Sequence, residues 1–86
     1  MFVVLSYDVN RKRVSKVMKI CRKYLVYVHE SVFEGTITEA KLKALKSELE
    51  RFIDTDEDSV CLYELESPRF ARKEQIGMVE NFSNII

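Results

Sequence analysis

Residues 2–9 read FVVLSYDV. Their β-branched and aromatic content makes this stretch a strand rather than a helix. Side chains alternate across a strand. Val3, Leu5 and Tyr7 therefore share one face, and Phe2, Val4, Ser6 and Asp8 share the other, with the two polar residues at its C-terminal end. A strand that is apolar on both faces needs cover on both faces.

Working outward, Asn10 caps a helix of about 13 residues. Val14, Val17, Met18, Cys21 and Leu25 form its apolar stripe, with Lys12, Lys16, Lys19 and Lys23 on the opposite side. A second strand is expected over 25–33, LVYVHESVF, then a turn at Glu34-Gly35 and a short strand, GTIT. Thr38 caps a second helix whose stripe is Leu42, Leu45, Leu49, Phe52 and Ile53, ended by the acidic run at 54–58. Residues 59–65, SVCLYEL, form a further two-faced strand, with Val60 and Leu62 opposite Cys61, Tyr63 and Leu65. Ser67-Pro68 breaks it. The segment QIGMV at 75–79 suits an edge strand, and an apolar tail, NFSNII, follows.

This order predicts an α+β fold, the ferredoxin-like βαββαβ sandwich with an extra C-terminal strand. Both crossovers have the same hand, so both helices lie on one side of the sheet. The other apolar side is left bare. A second copy related by a two-fold axis covers it, so a sheet-to-sheet homodimer is expected.

The chain has 86 residues, which suits one domain spanning 1–86. Two glycines and one proline leave little room for disorder. No apolar run approaches a membrane span, and the first residues lack the basic start and cleavage site of a signal peptide, so no membrane association and a cytoplasmic location are expected. Cys21 and Cys61 form no CxxC or zinc pattern and are expected to be reduced and buried. His29 stands alone and makes no metal cluster. The formal charge is zero, but its distribution is uneven. Residues 9–29 hold seven bases (Arg11, Lys12, Arg13, Lys16, Lys19, Arg22 and Lys23) and no acid, whereas residues 30–66 hold eleven acids against four bases. A basic face attracts phosphate even when the total charge is zero, although it can equally be a solvated helix surface.

Asp8 stands out, closing an apolar strand just before the basic helix. Alone it is a helix-start carboxylate that offsets the macrodipole. In a dimer whose axis passes near the strand ends, two Asp8 side chains meet, and they repel unless a proton or cation lies between them. Such a pair suits magnesium, which takes one or two carboxylates and fills its remaining positions with water. Arg11 and Arg13 follow closely and can hold phosphates through paired hydrogen bonds.

Tyr7-Asp8-Val9, SVFEG at 31–35, DSVCLY at 58–63 and Ile76-Gly77 occur in this order across nearly the whole chain. In this pattern the sequence resembles the small CRISPR-associated endonuclease of the spacer-adaptation module, the partner of the CRISPR integrase. The resemblance implies that Asp8 is a magnesium or manganese ligand supplied once by each subunit. It implies that Tyr7 lines the same region and that Arg11 and Arg13 serve nucleic-acid cleavage. Phe33 carries a link to activity, which core packing explains equally well. The resemblance also implies that the C-terminal strand and tail, residues 73–86, pack on the partner subunit. Three positions depart from the family pattern: Leu25 replaces a common Gly, His29 a common Gln, and Tyr27 a basic residue found in some members. The last change withdraws a phosphate contact.

Two functions from different classes follow. The first is a magnesium-dependent endonuclease cutting RNA or DNA in spacer acquisition and antiviral defence. The second is a non-catalytic dimeric adaptor that binds duplex DNA through Arg11, Lys12, Arg13, Lys16 and Lys19 and holds it for the integrase. A small toxin ribonuclease of similar fold is a third, weaker reading. No second acid or base lies near Asp8 in sequence, since His29, Glu30 and Glu34 belong to another strand.

Overall fold

The computed structural model describes residues 1–70 together with Arg72, Glu74 and Ile76. The elements are β1 (Phe2–Asp8), α1 (Arg11–Arg22), β2 (Val26–His29), β3 (Val32–Thr36), α2 (Glu39–Phe52) and β4 (Ser59–Leu65), followed by a short 3-10 turn at Pro68–Phe70. Four antiparallel strands form one sheet in the order β2-β3-β1-β4. None of the helices is long and apolar enough to cross a membrane, among the described residues.

Both helices begin where the sequence places a cap. The Asn10 side chain accepts a hydrogen bond from the Lys12 N–H at 3.1 Å, and Thr38 Oγ1 accepts one from the Lys41 N–H at 3.2 Å. These contacts satisfy amides that have no partner within the helix. Val3, Leu5 and Tyr7 of β1 and Phe33 of β3 form one buried cluster with Val17, Ile20 and Cys21 of α1 and Leu42, Leu45 and Leu49 of α2. The two helices therefore cover the same face of the sheet. Ile20 belongs to this core although the expected stripe omits it, while Val14 and Met18 are only half-buried.

The expected strand over 25–33 is two strands. The chain reverses at Glu30-Ser31, and Glu34-Gly35, read as the turn, lies within β3. Ser31 takes a left-handed φ of 64°. Its carbonyl accepts a hydrogen bond from the Tyr7 N–H at 3.1 Å, which pins the hairpin to β1. Two-residue hairpin loops need positive φ, and a Ser in that conformation leaves no Gly or Asn signal to read. A register slip between Tyr27 and His29 follows from the same tight reversal.

On the side away from the helices, Val26, Glu34, Val4 and Tyr63 lie in one row across β2, β3, β1 and β4. Val26 is 43% exposed and Tyr63 62% exposed. Phe2 and Glu34 on this side are buried, so it is not bare from end to end. Cys61 also opens onto it, in contrast to the expected burial, because the odd-numbered residues of β4, an edge strand among the described residues, face away from the helices. The expected strand QIGMV and the packing of residues 73–86 on a partner lie outside the described residues, apart from Glu74 and the exposed Ile76.

Candidate functional site

Asp8 is exposed at the C-terminal end of β1, on the open side of the sheet, opposite Ser59 of β4. The next row inward holds Ser6, Cys61 and Val32. Among the described residues nothing pairs with the Asp8 carboxylate, and no group of three or more His, Cys, Asp or Glu could hold a metal. Among the described residues, one chain therefore brings a single carboxylate to this site.

Of the other residues singled out in the sequence, Tyr7 and Phe33 are buried in the core and Arg13 is bound to Asp58. Tyr7 turns to the opposite face and is buried beneath α1, its ring centroid 6.3 Å from that of Phe33. Burial pushes the Tyr7 hydroxyl above its ordinary pKa, with the neighbouring Cys21 and Tyr27 adding to the shift, so it stays protonated at neutral pH. Phe33 is wholly buried and meets Tyr27 edge to face at 5.5 Å. Tyr27 stands in turn beneath the Arg22 guanidinium at 5.5 Å, so the departure from a basic residue builds core at this position. Leu25, the replacement for Gly, is also buried in the core.

α1 carries the positive charge. Arg11, Lys12, Lys16 and Lys19 are all exposed and pair with no described acid. Positions 12, 16 and 19 share one helix face. Lys16 Nζ sits 5.8 Å above the Phe52 ring, which leaves its charge at the surface. Farther along, Lys23 and Tyr24 both bind the Glu48 carboxylate and tie α1 to α2.

Arg13 behaves differently. Its Nε donates to Asp58 Oδ2 at 2.5 Å, and its Nη2 donates to Asp58 Oδ1 and Glu57 Oε2, both at 3.1 Å. Hydrogen bonding from Arg13, against the opposing effect of burial, holds the Asp58 carboxyl well below the usual carboxylate range. The same contact raises the Arg13 guanidinium further above its ordinary value. In sequence Asp58 both closes the acidic run at 54–58 and opens the DSVCLY motif, and neither names Arg13 as its partner. The signal that bears on the pairing is charge: an acidic stretch with no local bases, set against a helix with no acids.

A protein-family model described as CRISPR associated protein Cas2 matches residues 1–73. The chain belongs to the CRISPR-associated Cas2 family. It is 42% identical over 81 residues to the CRISPR-associated endoribonuclease Cas2 of Dictyoglomus turgidum, covering 94% of this chain and 93% of the relative. The Thermotoga maritima protein of the same name is 46% identical over 78 residues, covering 91% and 90%. A crystal structure titled cas2 superposes with a TM-score of 0.86 at 34% identity, covering 100% of this chain and 97% of the other. Streptococcus pyogenes Cas2 gives 0.74 at 35% identity, covering 87% and 100%. Of the Cas2-like motifs, YDV closes β1, SVFEG spans the turn and β3, and DSVCLY opens at the Asp58 carboxylate that grips Arg13.

Proposed function

We propose that this chain is an endonuclease of CRISPR spacer acquisition and antiviral defence that hydrolyses phosphodiester bonds of RNA or DNA as a cytoplasmic homodimer. The curated relatives named endoribonuclease support the activity. The observation that carries the site is Asp8, exposed and unpartnered at the end of the open face.

In the ferredoxin-like arrangement proposed here, two copies pack their open faces together and bring the Asp8 side chains near a common axis. Val26, Val4 and Tyr63, in the row that also holds the buried Glu34, supply apolar surface that such packing would cover. Residues 73–86 would extend this interface on the partner. Two carboxylates are hard oxygen ligands and suit magnesium or manganese. A divalent ion held there supplies Lewis acidity toward water and neutralises charge on the scissile phosphate. The chain's own residues would do the rest: Asp8 would hold the ion, and the exposed Arg11 and Lys12 at the start of α1 would hold flanking phosphates. Tyr7 and Phe33 support the strand from beneath.

The test is cleavage with and without EDTA, in wild type and Asp8→Asn. Both EDTA and the substitution abolish cleavage, while sedimentation shows an unchanged dimer. Undiminished cleavage by a clean Asp8→Asn preparation overturns the assignment.

A second reading has its own support. Among the described residues, Lys12, Lys16 and Lys19 form a basic ridge that pairs with no acid, and Asp8 is the one acid at the site. This favours a dimeric adaptor that grips duplex DNA and joins the CRISPR integrase without cutting. Under it, Asp8→Asn leaves DNA binding and integrase association unchanged.

A further inference from the structure

We infer that Asp58 positions Asp8 and aims the basic face of α1, and that Arg13 is the strut through which it acts rather than a phosphate contact. The Asp8 half rests on the endonuclease reading; the Arg13 half stands without it.

The Asp58 side chain is 0% exposed and that of Arg13 only 13%. Asp58 Oδ1 accepts from the Asn10 N–H at 2.8 Å and Oδ2 from the Asp54 N–H at 2.9 Å, in addition to the Arg13 fork. The carboxylate thus lies between two chain segments that meet at Asp8. Asn10 follows Asp8 by two residues, and Ser59, directly after Asp58, is the ladder partner of Asp8. Gripping Asn10 and anchoring β4 at Ser59 fixes the end of β1 from both sides.

The same grip sets the helix. Asn10 is the cap of α1, and its Nδ2 donates to Glu57 Oε1 at 2.5 Å. The first turn, carrying Arg11 and Lys12, is therefore clamped to the loop before β4. For Arg13 to reach a nucleic-acid phosphate it would have to leave Asp58, stranding a buried carboxylate without its counter-charge. That loss is large compared with one more phosphate contact, because an unpaired buried charge is costly. Arg11 and Lys12 stand beside it already exposed. Arg13 thus looks like a phosphate ligand in sequence and is committed elsewhere in the fold.

Three measurements test this. In wild type, the Arg13 Nε–H resonance is followed by NMR during titration with a short duplex DNA. It stays unshifted to saturation if Arg13 is a strut, whereas a shift on binding overturns that role. This readout needs no variant and so does not depend on one folding. In parallel, Arg11→Gln lowers the slope of log affinity against log salt by about 0.9 for each subunit in contact with the duplex, the loss of one phosphate contact per subunit. Arg13→Gln leaves the slope at its wild-type value, and an equal drop in both overturns the assignment. Finally, cleavage of a labelled oligonucleotide is measured against Mg2+ concentration, at a temperature where circular dichroism shows each variant folded. Asp58→Asn raises the half-maximal Mg2+ concentration about 10–100-fold, the usual effect of losing a group that orients a ligand. Wild-type Mg2+ dependence in Asp58→Asn, beside an inactive Asp8→Asn, overturns the positioning role alone. Wild-type cleavage by Asp8→Asn overturns the endonuclease reading and the Asp8 half with it.

Discussion

Removing the Phe33 ring separates packing from chemistry at a residue that the family resemblance links to activity. Phe33 is wholly buried, between Tyr7 at 6.3 Å and Tyr27 at 5.5 Å. Phe33→Ala removes most of that side chain and leaves a cavity under α1, at a cost of about 3–5 kcal/mol. A domain of this length has a total stability of about 4–13 kcal/mol, so the loss runs from a quarter of the total to all of it. At about 4–8 °C per kcal/mol, the melting temperature falls by about 12–40 °C. Thermal melts by circular dichroism and cleavage rates are read on the same preparations. Phe33→Leu, which keeps an apolar side chain in the space, cleaves at the wild-type rate. Cleavage by Phe33→Ala follows its folded fraction and returns at a temperature where the variant is folded. A Phe33→Ala protein that melts with the wild type yet does not cleave would refute the reasoning, because the ring would then be acting on substrate.

Charge reversal of Lys12, Lys16 and Lys19 weakens duplex binding at every sequence tested. Loss of three phosphate contacts lowers the salt slope by about 2.7 for each subunit in contact with the duplex, and an unchanged slope in filter binding removes this face as the interface. In acid, the depressed pKa of Asp58 means that its clamp contributes fully above about pH 4, where the unfolded carboxyl is also ionised. That contribution is lost as pH falls from there toward the folded pKa. Urea midpoints of wild type therefore fall more steeply below about pH 4 than those of Asp58→Asn, and parallel curves contradict the clamp. Burial pushes the Cys21 thiol up to about 12, so Cys21 resists alkylation in the native state. Cys61 on the open face is labelled in dilute protein and protected as concentration rises and the faces pair. Labelling of Cys61 that is independent of concentration argues against that pairing.

The parts of the fold legible in sequence are those governed by local periodicity. The two-faced pattern of residues 2–9, the caps Asn10 and Thr38, and the strand at 59–65 all correspond to observed elements. The Glu30-Ser31 reversal was hidden because its positive-φ residue is a serine, while the nearby glycine sits inside β3. At the candidate site the position of Asp8 was legible, since alternation along β1 places it on the open face. The pairing of Arg13 with Asp58 was not. Its partner lies 45 residues away in the chain, and spacing along a helix carries no information about which distant carboxylate folds against it. Tyr7 adjoins Asp8 in sequence but cannot share its site, because neighbours on a strand face opposite ways.

Sedimentation equilibrium of the wild-type chain at micromolar concentration tests most directly whether a second copy completes the site. A dissociable species of twice 10.1 kDa is expected. A folded 10.1 kDa monomer that cleaves in the presence of Mg2+ would contradict it, since a lone Asp8 would then suffice for the chemistry.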